Sequence, residues 1–308
     1  MRLNGLRRAL GDRGVANEPL SKHTTFRIGG PADLFVVART PSELCEYVRL
    51  AWKHKTPYMV LGMGANVLVS DLGIRGLVIH NQSDAVEMEA KSGTEDWIVR
   101  AESGAGLASL ARQTVARGLT GLEWAVDVPG TVGGAVVGNA GAFGGYVSDN
   151  LQGVTIFSPP DREHWLPASE LGLGYRTSIL RERALTDQTT SVVLSAVFAL
   201  RAGDAEEIQE RAAQFTQRRG ETQPVGPSAG SVFKRTAQYP AGFLIENAGL
   251  KGTRIGDAVV SPQHANFIIN LGGATAEDVR QLIELMRRTV YERYKVTLEL
   301  EIQLVGEW

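Results

Sequence analysis

One stretch of the chain is far richer in glycine than an apolar core requires. It runs as PGTVGGA from Pro129 to Ala135 and continues as GNAGAFGG from Gly138 to Gly145. Glycine adds no apolar surface and costs conformational entropy on folding, but it lets a backbone approach a ligand and offer N–H groups to phosphate oxygens. A second loop, GMGAN at 62–66, repeats this chemistry between two apolar runs. Two such loops predict a cofactor with two phosphates, with simple loop punctuation as the alternative.

Neither loop has the usual fingerprint of a nucleotide-binding protein. A dinucleotide fingerprint needs GxGxxG between a strand and a helix. The loop at 62–66 has the first two glycines, lacks the third and leads into another apolar run. The P-loop pattern GxxxxGK[ST] does not occur in the sequence. We therefore expect the diphosphate to be held in another way.

Composition narrows the class of protein. The 308 residues suffice for two or three domains. With 32 Lys and Arg against 34 Asp and Glu, the net charge of -2 argues against nucleic-acid or membrane partners, and no apolar run approaches the ~20 residues that span a bilayer. The single cysteine, Cys45, fits a reducing compartment, and the histidines are too scattered for a metal site. We expect a cytoplasmic protein without a metal, as a monomer or weak oligomer.

Apolar periodicity indicates three units of mixed helix and strand. Thr40, Pro41 and Glu43 are typical of a helix start, and Thr275 with Asp278 of another. Helices are predicted from Thr40 to 53–55, through 107–115, over 204–219 as a charged, solvent-facing linker, and over 275–294. Strands are predicted at 32–38, 58–61, 66–70, 76–79, 97–101, 153–158, 191–200, 266–271 and 297–305.

A series of motifs, in a fixed order, resembles the UDP-N-acetylenolpyruvoylglucosamine reductase family. The similarity runs from about residue 18 to 306, and the short distance from Tyr175 to Ser231 resembles the type II branch of that family. The motifs are LSKHTTFRIGG at 20–30, GMGANVLV at 62–69, the glycine stretch at 129–144, YRTS at 175–178, GSVFK at 230–234, GLKG at 249–252, HANF at 264–267 and Glu301-Ile302.

The resemblance implies an α+β fold with a two-subdomain FAD module of the vanillyl-alcohol-oxidase (PCMH-like) type. Subdomains at 1–80 and 81–203 would hold non-covalent FAD, and a C-terminal α+β domain at 204–308 would bind substrate, with its last strand returning to the active site. The implied reaction uses NADPH to reduce the enolpyruvyl double bond of UDP-N-acetylglucosamine enolpyruvate. The product, UDP-N-acetylmuramate, is a peptidoglycan precursor.

The same resemblance assigns roles to individual residues. Arg176 and Glu301 would stabilise the enolate and carboxylate, and Ser231 would donate the proton. The implied substrate residues are Tyr175, Lys234, Arg235, Lys251 and His264. The implied cofactor residues are Arg27, Ile28, Gly62, Met63, Gly64, Ala65, Asn66, Val67, Pro129, Gly130, Thr131, Gly133, Gly134, Ala135, Asn139, Ala140 and Gly141.

Each catalytic candidate also has an ordinary interpretation. Arg176 taken alone is a surface arginine, although the permanent charge and planar fork of an arginine suit a carboxylate or an enolate. Ser231 taken alone makes a turn hydrogen bond, because a hydroxyl is a poor acid unless its site is dry. Strand alternation puts Glu299 and Glu301 on one face and cannot choose between them; the family pattern chooses Glu301.

Three residues depart from the family pattern, and two other functions remain open. Ala65 replaces a serine in the first loop, Asp127 stands where glycine is common, and Gly138 stands where a methionine is common.

The alternative enzyme is another FAD-dependent oxidase of the same fold, acting on an alcohol or sugar. The non-enzymatic alternative is a nucleotide-binding module that has lost catalysis.

Overall fold

The computed structural model describes residues 2–186 and 191–308. The helices within them are α1 (Arg2–Leu10), α2 (Pro41–Lys53), α3 (Leu107–Ala116), α4 (Val132–Val137), α5 (Ile179–Thr186), α6 (Ala205–Thr222), α7 (Ala241–Asn247) and α8 (Ala276–Tyr294). The strands are β1 (Val15–Pro19), β2 (Pro31–Ala38), β3 (Tyr58–Leu61), β4 (Val67–Val69), β5 (Ile74–Asn81), β6 (Val86–Ala90), β7 (Asp96–Glu102), β8 (Leu119–Thr120), β9 (Gly141–Ala142), β10 (Gly145–Tyr146), β11 (Leu151–Ser158), β12 (Arg162–Pro167), β13 (Val192–Ala202), β14 (Arg254–Ile255), β15 (Ala258–Val260), β16 (Ile268–Asn270) and β17 (Gln303–Val305).

The first of two compact units comprises residues 2–15, 34–62, 76–186 and 191–219. Its larger sheet has the strand order β12-β11-β13-β7-β6, with β8 paired to β13, and β3 lies parallel to β5 in a second sheet. Helices α3 and α4 cover the larger sheet. The core between them is made of buried side chains that include Val99, Leu110, Val136, Val154 and Phe198.

The second unit comprises Ala16–Asp33, Met63–Arg75 and Gly220–Trp308. Strands β14, β15 and β16 form an antiparallel sheet, and β17 pairs in parallel with β4. Because β17 lies near the chain end and β4 near residue 68, the unit joins segments that are remote in sequence. Its core includes Phe26, Leu68, Phe233, Ile268 and Met286.

The predicted helix starts are confirmed. At α2 the Thr40 hydroxyl accepts the N–H of Glu43 at 3.2 Å. At α8 the Thr275 hydroxyl accepts the N–H of Asp278 (3.0 Å), and the Asp278 carboxylate accepts the N–H of Thr275 (2.9 Å). These reciprocal bonds satisfy N–H groups that have no partner inside a helix.

The predicted strand over 297–305 is wrong for most of its length. Only Gln303–Val305 forms a strand. The N–H groups of Glu301 and Ile302 both converge on the oxygen of Val232, at 2.8 and 3.4 Å. A single acceptor shared by consecutive donors breaks the alternation that a strand ladder needs. Residues 297–302 are therefore irregular, and alternation along a strand does not decide which way their side chains face.

Helix α6 is longer than predicted, and one side of it is buried. Ile208 and Ala212 lie in the core of the first unit. On the same helix, Thr216 donates to the Asp127 carboxylate at 2.5 Å, and Asp127 also lies 3.5 Å from Arg112. The departure from the family pattern at Asp127 thus has a local reason, because its carboxylate ties α6 and α3 to the start of the glycine stretch.

Candidate functional site

Arg176 lies in a tight reversal of the chain. The N–H of Gly174 donates to the oxygen of Thr177 (3.1 Å), and the N–H of Thr177 donates back (3.3 Å). Arg176 has a φ of 57°, in the left-handed region. The buried Asn139 side chain donates to the oxygen of Gly174 (2.9 Å) and accepts the N–H of Ser148 (3.1 Å). The glycine-rich stretch therefore holds the turn that carries Arg176.

The Arg176 side chain returns to the same stretch. Its Nη2 donates to the oxygen of Gly141 at 2.9 Å, and its guanidinium carbon lies 5.6 Å from the centre of the Tyr175 ring. Nη1 of Arg181 donates to the main-chain oxygen of Arg176 (3.1 Å), which fixes the turn from the other side. A partly buried guanidinium in a fixed position suits a ligand carboxylate or enolate.

Ser231 lies in a segment that is hydrogen-bonded to a buried asparagine. The N–H of Val232 donates to the main-chain oxygen of Asn266 at 2.8 Å. The Asn266 side chain then accepts the N–H of Phe233 (3.0 Å) and donates to its oxygen (2.8 Å). Val232 and Phe233 are each 1% exposed, so packing also fixes the segment.

Glu301 belongs to a second segment, which is also hydrogen-bonded to the chain beside Ser231. Its N–H donates to the oxygen of Val232, the residue after Ser231, at 2.8 Å. The side chain of Glu299 is 74% exposed and lies 3.5 Å from Lys234, whereas Glu301 is partly buried. Within the second unit, the structure thus brings Ser231 and Glu301 onto neighbouring segments and leaves Glu299 at the surface.

The predicted site residues are divided between the two units. Arg176 and Tyr175 belong to the first unit, whereas Ser231, Glu301 and the other substrate candidates belong to the second. Of the cofactor candidates, the first unit contains Gly62, Pro129, Gly130, Thr131, Gly133, Gly134, Ala135, Asn139, Ala140 and Gly141. The second contains Arg27, Ile28, Met63, Gly64, Ala65, Asn66 and Val67.

The first glycine loop offers backbone donors to an anion. Among the described residues, the N–H groups of Met63, Gly64, Ala65 and Asn66 have no acceptor. Gly64 has a φ of 62°, and a Cβ there would lie 2.6 Å from the oxygen of His23. Consecutive backbone donors in such a tight turn form a concavity for phosphate. The residues present therefore fit the diphosphate of FAD.

The second glycine stretch is built differently from the predicted phosphate loop. Residues Val132–Val137 form α4, and the N–H groups of Val132 and Gly133 donate to the oxygens of Ala105 and Ser103, both at 2.8 Å. A Cβ at Gly133 would lie 2.9 Å from the Cβ of Ser103. Here glycine permits a close approach within the protein, and these two N–H groups already have partners.

Gly134 differs from its neighbour. It is exposed, and the nearest atom to a Cβ there would be Oγ1 of Thr131, at an ordinary 3.5 Å. Glycine inside a helix costs roughly 0.5–1 kcal/mol relative to alanine, and packing within the described residues does not require it here. A ligand lying against α4 would require it, so this face also fits FAD.

Two cofactor candidates from the first motif have different surroundings. Ile28 is 2% exposed and packs in the core of the second unit, so a ligand could meet its backbone but not its side chain. Arg27 is exposed and has a φ of 55°. The neighbouring Thr25 hydroxyl donates to the oxygens of Ser228 (2.7 Å) and Gly64 (3.4 Å), which joins this motif to the first glycine loop.

Of the predicted substrate cations, Lys234 lies 3.5 Å from Glu299, and Lys251 lies 2.6 Å from Glu246. Arg235 is exposed. Ion pairs of this kind at a surface contribute little to stability. Both lysines could therefore leave their glutamate partners and bind a ligand phosphate instead.

His264 is placed to remain neutral. Its Nδ1 accepts the N–H of Asn266 at 3.2 Å, which requires that nitrogen to be unprotonated. Burial lowers the pKa of His264 below its ordinary 6.5, and the charge of Lys251 lowers it further. The ring makes an edge contact with Phe267, with centroids 4.9 Å apart. Neutral His264 can therefore donate from Nε2 to a ligand oxygen.

Sequence reasoning missed the side chains that position the predicted catalytic residues. Asn266 lies within the HANF motif, so the motif carried a usable signal for it. Arg181 follows the YRTS motif by three residues and has no signal beyond that proximity.

Among the described residues, no group of three His, Cys, Asp or Glu side chains could hold a metal ion, and no helix there is long and apolar enough to cross a bilayer.

Two family models match the chain. Residues 32–165 match the FAD binding domain, and residues 221–305 match the C-terminal domain of UDP-N-acetylenolpyruvoylglucosamine reductase. The UDP-N-acetylenolpyruvoylglucosamine reductase of Lachnoclostridium phytofermentans is 41% identical over 96% of this chain and 94% of its own length. The chain belongs to the UDP-N-acetylenolpyruvoylglucosamine reductase family.

Further members of the reductase family show the same chain-wide similarity. The reductase of Caldicellulosiruptor bescii is 43% identical over 96% of this chain and 91% of its own. The crystal structure of the reductase (MurB) from Thermus caldophilus matches with a TM-score of 0.77 and 36% identity, over 95% of this chain and 98% of that one. The predicted family, the predicted fold class and FAD as cofactor are thereby confirmed.

Proposed function

We propose that this reductase-family protein uses NADPH to reduce the enolpyruvyl double bond of UDP-N-acetylglucosamine enolpyruvate, forming the peptidoglycan precursor UDP-N-acetylmuramate. FAD, when bound, would supply the hydride that it has taken from NADPH. The cofactor would be held by residues 1–80 and 81–203, and the substrate by 204–308 together with Tyr175 and Arg176. A cytosolic nucleotide-sugar substrate and reductant make the protein cytoplasmic.

The observation that carries the proposal is the pairing of Ser231 with the Glu301 segment. Adding hydrogen to an enol ether conjugated to a carboxylate requires a proton at one carbon and stabilisation of the charge that builds towards the carboxylate. Val232 links the two segments through a bond of 2.8 Å to the Glu301 N–H. A proton donor and a carboxyl group on adjacent segments meet both needs.

Each residue then has a separate task. Ser231 donates its hydroxyl proton to the carbanionic carbon of the substrate. Arg176 pairs with the substrate carboxylate, whose negative charge grows in the enolate form. Glu301 can stabilise the enolate by donating a hydrogen bond, which only a protonated carboxyl group can do. The UDP-sugar is bound by five further side chains, those of His264, Lys234, Arg235, Lys251 and Tyr175.

The competing proposal is an FAD-dependent oxidase of the same fold. An oxidase would need the cofactor loops, but it would have no use for a proton donor beside Glu301. The two are separated by reducing the bound flavin with NADPH in the absence of oxygen and then adding either the enolpyruvyl sugar or air. Faster reoxidation by the sugar supports the reductase, and reoxidation by air alone supports the oxidase.

A further inference from the structure

The side chain of Asn66, in the first glycine loop, contacts the main chain of a proposed catalytic residue, Glu301. Its Nδ2 donates to the main-chain oxygen of Glu301 at 3.2 Å. Its own main-chain oxygen accepts the N–H of Gln303 at 2.9 Å. Asn66 thus binds the final segment on both sides of Ile302, although it lies 235 residues from Glu301 in sequence.

These bonds matter because Glu301 lies outside a regular sheet. Strand β17 begins at Gln303, and its pairing with β4 starts between Gln303 and Val67. The Glu301 N–H is held by Val232 at 2.8 Å, and the Glu301 oxygen is held by the Asn66 amide. The Glu301 backbone is thereby fixed from two directions, by the Ser231 segment and by the first glycine loop.

We propose that Asn66 is a positioning residue for Glu301, and that cofactor binding at residues 63–66 is coupled to the placement of Glu301. The coupling rests on the proposed function. The N–H of Asn66 is among the loop donors that have no acceptor within the described residues, so a diphosphate there would steady the backbone from which the amide reaches Glu301. A group that hydrogen-bonds a reacting substrate must be held within about 0.5 Å of its productive position.

The alternative is that Asn66 only shapes its own turn, as asparagine often does. The two interpretations differ in what happens when Glu301 has no side chain to position. A residue that acts through Glu301 becomes silent in a Glu301→Ala background, whereas a residue that shapes the cofactor loop does not. A double-mutant cycle on the FAD-loaded enzyme measures this difference.

We expect Asn66→Ala to slow reoxidation by the enolpyruvyl sugar about tenfold or more, and to slow it more than it slows flavin reduction by NADPH, because the backbone N–H donors of the loop remain. In Glu301→Ala, adding Asn66→Ala should change reoxidation by less than about twofold. The proposal would be overturned if the two substitutions slowed reoxidation by factors that multiply in the double variant. It would also be overturned if Asn66→Ala slowed both half-reactions equally. Asn247→Ala is the matched control, because its amide donates to Phe243 within the same unit at 2.8 Å.

A second readout needs no turnover. Hydrogen exchange of the peptide covering residues 299–303, measured on the FAD-loaded proteins, should be about tenfold faster in Asn66→Ala than in the unsubstituted protein, and unchanged exchange there would refute the positioning role. Should Asn66→Ala fail to fold, Asn66→Asp keeps the shape and removes the donor. If Glu301→Ala leaves reoxidation unaltered, the catalytic role of Glu301 fails, while the exchange result still decides whether Asn66 positions that segment.

Discussion

The side-chain amide of Asn139 donates a 2.9 Å hydrogen bond to the main-chain oxygen of Gly174. Asn139 belongs to the glycine-rich stretch, and Gly174 opens the turn that holds Arg176 in a left-handed conformation. Arg176 returns a bond from Nη2 to Gly141 of the same stretch at 2.9 Å. The stretch predicted to bind a cofactor therefore also positions the arginine predicted to bind the substrate carboxylate.

Asn139→Asp should weaken this connection while keeping the acceptor for Ser148. The Gly174 oxygen keeps the N–H of Thr177 as a donor, so the cost is that of one net hydrogen bond, about 0.5–1.5 kcal/mol, and unfolding in urea should begin at a lower concentration. Flavin reoxidation by the enolpyruvyl sugar should slow more than flavin reduction by NADPH. Asn150→Asp is the control, because its amide donates to Gly121 at 2.8 Å. A similar kinetic change in both variants would argue against a specific role for Asn139.

Ser231→Ala should separate the two half-reactions. Without the hydroxyl proton, reduction of the enolpyruvyl sugar should slow by about 10²–10⁴-fold, while flavin reduction by NADPH should persist. Stopped-flow absorbance of the flavin measures both rates. Ser228→Ala is the control, because the main-chain oxygen of Ser228 accepts the Thr25 hydroxyl and its own hydroxyl has no proposed role. If Ser231→Ala slows both half-reactions equally, Ser231 is not the proton donor.

Gly134→Ala should separate stability from cofactor binding. Alanine is favoured inside a helix by roughly 0.5–1 kcal/mol, and a Cβ at 134 has no contact closer than 3.5 Å. The melting temperature of the cofactor-free protein should therefore hold or rise, while the Kd for FAD should increase about tenfold. Gly138→Ala should not weaken FAD binding. Unchanged FAD affinity in Gly134→Ala would remove α4 from the cofactor site.

His264 should make the protein less stable in acid. Burial holds its pKa below 6.5 in the folded state, so on acidification the unfolded chain takes up the proton first. Stability is therefore fully present above about pH 7 and declines as the pH falls through 6.5 towards the folded pKa. His264→Gln should flatten the melting temperature between about pH 7 and 5. An equal decline in both proteins would show that His264 does not contribute.

Local signals were sufficient for part of this fold. The caps of α2 and α8 lie within three residues of their partners, so Thr40 and Thr275 could be identified from sequence spacing. The glycine loop at 62–66 could be identified because its donors belong to consecutive residues. The family motifs then selected Ser231, Glu301 and Arg176 as the proposed catalytic residues, for which local patterns allowed other interpretations.

Long-range contacts account for what the sequence did not predict. Helix α4 lies within the glycine-rich stretch, and Gly133 in it packs on Ser103, a contact that no local rule contains. The expected strand at 297–305 is interrupted because Val232 accepts two consecutive N–H groups. Asn66 reaches Glu301 across 235 residues of sequence, so only the folded chain reveals its second role.

The most direct test of the proposed activity is an anaerobic single-turnover reaction. The FAD-loaded protein is reduced with one equivalent of NADPH and mixed with one equivalent of UDP-N-acetylglucosamine enolpyruvate, while flavin absorbance and product mass are recorded. We predict that the oxidised flavin spectrum returns before oxygen is admitted, with a product two hydrogens heavier than the substrate. A flavin that stays reduced until air enters, with the enolpyruvyl sugar recovered unchanged, would contradict the assignment.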